Sequence, residues 1–105
     1  MNTETLPRHA SIVVVGGGII GCSTAYHLAK EGYTDIVLLE RQLLSSGTTW
    51  HAAGLITTLR DTESQTKLAA YSLQLYEQLS KETGQETGFI KCGSIQLAMD
   101  EEKRE

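Results

Sequence analysis

An α/β fold, opened by a strand-helix-strand unit and incomplete within this chain, follows from three observations. Ser11-Ile12-Val13-Val14-Val15 is an unbroken, mostly β-branched run. The turn Gly16-Gly17-Gly18 ends it and leads into a helical pattern. A second apolar run, Asp35 to Glu40, then follows within the roughly 30 residues that a βαβ unit occupies.

The first run lacks the polar alternation of a half-exposed strand, so it predicts a strand of a parallel sheet covered on both faces. From Ile19 to about Glu31 the spacing of Gly21, Ala25, Leu28 and Gly32 puts small and apolar residues on one helical face, which lets helix and strand approach closely. Gly32 supplies the left-handed stop, and Asp35-Ile36-Val37-Leu38-Leu39-Glu40 forms the second strand. A polar loop of small residues, Leu44 to Thr49, comes next. Thr62 with Gln65 predicts a helix start, and Leu68, Tyr71, Leu75 and Leu79 form an apolar stripe that ends at Gly84. Residues 88–99 predict one or two short strands around Gly93, and residues 100–105 the start of another helix. The expected division is an N-terminal extension over residues 1–10 and an α/β domain from residue 11 to 105. In that division residues 88–105 begin a second, substrate-facing region.

The chain has 105 residues, a single-domain length, and carries a net charge of −4 from 9 basic and 13 acidic residues. Its basic residues are scattered, which argues against a nucleic-acid partner. The longest apolar stretch, Ile12 to Ile20, contains three glycines and falls far short of the ~20 residues of a membrane span. Cys22 and Cys92 lie far apart without metal-ligand spacing, so reduced thiols and no metal site are expected. Residues 1–10 carry neither a signal-peptide pattern nor a transit pattern. A cytoplasmic location is expected, or the mitochondrial matrix if the source is eukaryotic. Two parallel strands fall short of the about five or six in a doubly wound sheet, so the chain reads as the N-terminal piece of a longer protein.

Gly16, Gly18 and Gly21 form G-x-G-x-x-G directly after a strand and at the start of a helix, and Glu40 stands 19 residues beyond Gly21. This is the fingerprint of a Rossmann-like dinucleotide site. The first glycine makes the turn, the second admits the pyrophosphate, and the third packs helix on sheet. The helix N-terminus faces the phosphates, while Glu40 accepts from ribose hydroxyls and repels a 2′-phosphate, which disfavours NADP. NAD and FAD remain open on these residues. The hydroxyls of Ser46, Thr48 and Thr49 suit an extended FAD, and Gly54 with Ala52 and Ala53 leaves room for a flat ring. His51, taken alone beside Trp50, reads more readily as a packing or hydrogen-bonding residue than as a reactive one.

Val13 to Gly18, Tyr26-His27-Leu28-Ala29-Lys30, Val37-Leu38-Leu39-Glu40-Arg41 and Ser46-Gly47-Thr48-Thr49-Trp50-His51-Ala52-Ala53-Gly54-Leu55 together resemble the dimethylglycine and sarcosine dehydrogenase family. Glu82-Thr83-Gly84 and Gly93-Ser94-Ile95 match it too, so the resemblance runs nearly from Ser11 onward. It implies a D-amino-acid-oxidase-like flavoprotein, an enzyme that oxidises N-methyl amines such as sarcosine or dimethylglycine by hydride transfer to FAD. It further implies covalent FAD attachment at His51. Gly16, Gly18, Ile19, Ile20, Gly21, Glu40, Arg41 and the stretch from Gly47 through Thr48, Thr49, Trp50, His51, Ala52, Ala53 and Gly54 to Leu55 would line the cofactor.

By the same resemblance, tetrahydrofolate can serve the parent protein as a one-carbon acceptor, and electrons leave to an electron-transfer flavoprotein or to oxygen. The substrate residues would lie beyond Glu105. Two other readings remain. One is a non-catalytic relative like the regulatory subunit of pyruvate dehydrogenase phosphatase, or an inert truncated product, against which the Trp50-His51 pair favours an enzyme. The other is a small NAD-binding module complete in itself. The chain alone is expected to be inactive.

Overall fold

A computed structural model describes residues 6–98, and contact between residues divides the chain into two compact units, before and after the Ala53–Gly54 junction. In the first unit, β1 (Ile12–Val15), α1 (Ile19–Lys30) and β2 (Ile36–Leu39) follow the predicted order. The strands pair in parallel, Ile12 opposite Ile36 and Val15 opposite Leu39. Their register continues at both ends, since the Ile12 N–H donates to the Asp35 carbonyl and the Gly16 N–H to that of Leu39. Below the sheet edge, Asp35 Oδ2 accepts from both the backbone N–H and the hydroxyl of Ser11, each at 2.9 Å.

The α1 helix starts at Gly18, whose backbone is extended, and carries no acidic residue in its first turn. The positive end of its dipole is therefore not neutralised by its own side chains. It stops at Gly32, where φ is +102°. There the Gly32 N–H donates to the Ala29 carbonyl and the Tyr33 N–H to that of Leu28, the paired bonds of a Schellman motif.

Coverage of the sheet differs from the expectation. Ile12 and Val14 are half-buried, but Val13 is 52% and Val15 82% exposed. Within the described residues of the first unit a single helix shields one face, and no second layer of that unit covers the other. No large apolar side chain there is fully buried. The unbroken apolar run that suggested a strand sandwiched between layers is thus half sandwiched in this chain.

In the second unit, α2 spans Glu63–Thr83. The Thr62 hydroxyl accepts from the Gln65 N–H at 3.2 Å, which is one half of the expected capping box. Gly84, at φ +70°, closes the other end. The apolar stripe is only partly used: Leu75 and Leu79 are half-buried, whereas Leu68 and Tyr71 face solvent. What packs on the helix is Phe89, stacked on Tyr76 with 6.3 Å between ring centres, and Lys91 pairs with Glu77 at 3.3 Å.

The strands expected around Gly93 do not form, and residues 88–98 hold no regular element. A strand needs a neighbour to take its N–H and C=O groups. None is offered here, and Gly88 and Gly93 both adopt positive φ, which interrupts an extended run. The helix expected over residues 100–105 lies outside the described residues. Within them, no helix is long and apolar enough to cross a membrane.

Candidate functional site

Three segments distant in sequence meet at the N-terminus of α1: the glycine turn, Glu40 at the end of β2, and the loop from Leu44 to His51. Each glycine has a measurable reason to lack a side chain. Gly16 takes φ +107°, with open space where a Cβ would stand. A Cβ on Gly18 would lie 2.9 Å from the Thr49 hydroxyl oxygen. One on Gly21 would fall on the Gly16 carbonyl oxygen, deep inside van der Waals contact. The helix thus sits against the turn as the fingerprint requires.

Gly17, an unassigned position of the motif, is constrained as well. It is the buried residue of the turn, and a Cβ there would meet Leu44 Cδ2 at 2.6 Å and Glu40 Cβ at 3.0 Å. Its N–H donates to Glu40 Oε1 at 3.0 Å, and its carbonyl accepts from the Ser45 N–H at 2.8 Å. The other carboxylate oxygen of Glu40 accepts from the Gln42 N–H at 2.7 Å. These backbone donors, Gln42 before Gly17, hold the Glu40 carboxyl below its ordinary value of 4.5, with a smaller push from the neighbouring Arg41 charge. Glu40 therefore staples the turn to β2. A carboxylate has about four acceptor positions, more than these backbone donors occupy.

The loop after β2 folds back onto this turn. Ser45 adopts a left-handed φ of 62°, and its N–H reaches the Gly17 carbonyl. Ser46 binds the Leu43 carbonyl through its hydroxyl at 2.7 Å. Residues Thr48–His51 then form one 3-10 turn. Within it the Thr49 hydroxyl accepts from the Ile19 N–H at 2.9 Å, capping α1 from 30 residues away. His51 Nδ1 lies 2.9 Å from the Gly47 carbonyl. A carbonyl can only accept, so Nδ1 is the nitrogen that carries a proton toward it, and in the neutral ring Nε2 is then the one with the free lone pair. The His51 ring is exposed, as is Trp50 at 76%.

Gly21 thus lies against Gly16, Gly18 and Ile19 against Thr49, and Gly47 against His51, while Glu40 joins the turn through Gly17. Ile20 and Arg41 lie beside them in sequence with exposed side chains, and Thr48, Trp50, Ala52 and Ala53 are exposed on the same loop. Gly54 and Leu55 belong to the second unit. That unit has its own open cleft of about 560 Å³ between Leu59-Arg60-Asp61 and the first turns of α2, and none of the predicted residues lines it. Sequence reasoning missed Gly17, Leu44 and Ser45. The third consecutive glycine was a usable signal for Gly17, whereas nothing in Ser45 announces its backbone conformation.

The family described as FAD dependent oxidoreductase matches residues 11–105. The chain belongs to that family. Among its relatives, 4-methylaminobutanoate oxidase (formaldehyde-forming) of Paenarthrobacter nicotinovorans is 52% identical over 95 residues, covering 90% of this chain and 12% of its own. Human mitochondrial sarcosine dehydrogenase is 47% identical over 97% of this chain and 12% of its own. The mouse mitochondrial pyruvate dehydrogenase phosphatase regulatory subunit is 48% identical over 93% of this chain and 11% of its own. This member of the FAD dependent oxidoreductase family therefore spans little more than a tenth of the length of these three relatives. The resemblance to N-methyl amine dehydrogenases agrees with these relatives.

Proposed function

We propose that this chain is the cofactor-anchoring part of an FAD-dependent enzyme that oxidises N-methyl amines, with sarcosine, dimethylglycine and 4-methylaminobutanoate as the substrates to try first. Residues 11–105 then begin its oxidoreductase domain, and residues 88–105 lead toward its substrate region. The observation that carries the reading is the convergence of the glycine turn, Glu40 and the His51-bearing turn at one helix end. The residues present suit FAD. The backbone is bare at Gly16, the first turn of α1 carries no acidic residue to repel an anion, and Glu40 keeps acceptor positions for a ribose while repelling a 2′-phosphate.

When bound, FAD supplies the acceptor for a hydride from the N-methyl carbon; the iminium that results is hydrolysed to formaldehyde or passes its carbon to tetrahydrofolate. The α1 N-terminus binds the phosphates. Glu40 would hold the adenosine ribose, and the turn from Gly47 to His51 would present its side chains to the cofactor. His51 presents Nε2 as the nucleophile for covalent attachment, because the Gly47 carbonyl holds the ring by Nδ1–H. Electrons leave to an electron-transfer flavoprotein or to oxygen.

Anaerobic mixing of the full-length protein with each amine tests this reading, with bleaching of the oxidised flavin band as the expected result. A second reading, a flavin-binding regulatory protein without turnover, is favoured by the 48% identity to the phosphatase regulatory subunit. Flavin that stays oxidised with every amine supports that reading instead.

A further inference from the structure

We propose that Thr49 is a positioning residue for flavin attachment, tying the turn that carries His51 to the phosphate-binding end of α1. The inference rests on the covalent reading above. Three observations carry it. The Thr49 hydroxyl accepts from the Ile19 N–H at 2.9 Å, a contact between segments 30 residues apart. Gly18 leaves the room for that hydroxyl, since a Cβ there would stand 2.9 Å from it. His51 sits two residues further along the same 3-10 turn, with its Nδ1 held by the Gly47 carbonyl at the turn's start.

The His51 nitrogen is thereby referenced to the helix that would fix the pyrophosphate. A side chain that must meet one carbon of a ring bound at its far end needs such a reference, because the phosphates alone leave the ring free to swing. Thr49 touches no reacting atom in this account. It sets how often Nε2 is in attack position. In the attachment step itself, Nε2 gains a bond to the 8α methyl carbon. One hydrogen leaves that methyl and one leaves the imidazole, and both pass with the electron pair into the ring, which dioxygen reoxidises.

The test uses the full-length protein freed of flavin and then mixed with saturating FAD. Flavin that survives acid denaturation gives the attachment rate, and flavin that does not gives the binding constant. Thr49→Val keeps the branched shape and removes the hydroxyl. Ile19→Pro removes the donor instead, at the first helical position, where proline is accepted and the preceding extended Gly18 suits it. Both are expected to slow attachment about tenfold or more at saturating FAD, while binding changes by a smaller factor. Thr49→Ser is expected within about threefold of wild type, and the double variant no slower than the worse single, as for two partners of one bond.

Attachment by Thr49→Val at the wild-type rate overturns the proposal. So do equal losses in the valine and serine variants, additive losses in the double variant, or a loss that more FAD recovers. Wild-type flavin that is wholly released by acid overturns the covalent reading itself, and this is seen before any variant is made.

Discussion

Both oxygens of Glu40 accept from backbone N–H groups, one across to Gly17 and one locally to Gln42, so the ionised carboxylate is the form the fold prefers. Its carboxyl is held below 4.5, hence its contribution to stability is fully present above that pH and is lost as pH falls through the lower, folded value. The thermal midpoint of the full-length wild type should exceed that of Glu40→Gln near neutrality, and the gap should close on acidification. The glycines make a second comparison. Gly21→Ala places a methyl on the Gly16 carbonyl and is expected to cost about 1–3 kcal/mol or more, whereas Gly47→Ala meets nothing within 4 Å and should stay within about 0.5 kcal/mol of wild type. Urea midpoints of the two variants check this. Gly21 was readable from the motif. For Gly17 the run of three glycines was only a hint, because its constraint comes from Leu44 and Glu40, residues that only the folded loop brings near.

At the level of elements, the helix ends carry most of what local sequence dictates. Gly32 at φ +102° ends α1, and Gly32→Ala should cost about 1–2 kcal/mol, the penalty of a side chain in left-handed backbone. Thr62→Ala removes the hydroxyl that caps α2 and should cost about 1 kcal/mol, read as a lowered thermal midpoint. These stops were legible because a cap is written in one or two residues. β1, α1 and β2 were legible for a similar reason, as each has a strong pattern over four to twelve residues. The stretch 88–98 failed because extended structure depends on a partner strand. Phe89 and Lys91 instead hold this segment to α2 by a ring stack and an ion pair, contacts that no periodicity announces.

For the whole molecule, the open face of the sheet decides what the chain does by itself. Val13 and Val15 are exposed, so a two-stranded sheet under one helix leaves apolar surface and strand edges to solvent. The isolated 105-residue chain is expected to bind a hydrophobic dye and to melt without a cooperative transition, and a sharp calorimetric peak would refute that. Its sequence already pointed this way, since a strand apolar on both faces demands layers that two strands and one helix do not provide. The residues of the candidate site stood out in the glycine motif and in the loop that resembles N-methyl amine dehydrogenases, while the bonds between them became visible only in the fold. The most direct test of the account is made on the full-length protein, denatured in acid and run on a gel beside His51→Ala. Flavin fluorescence in the wild-type band and none in the variant is the predicted result. A dark wild-type band from a protein that had held FAD would contradict it.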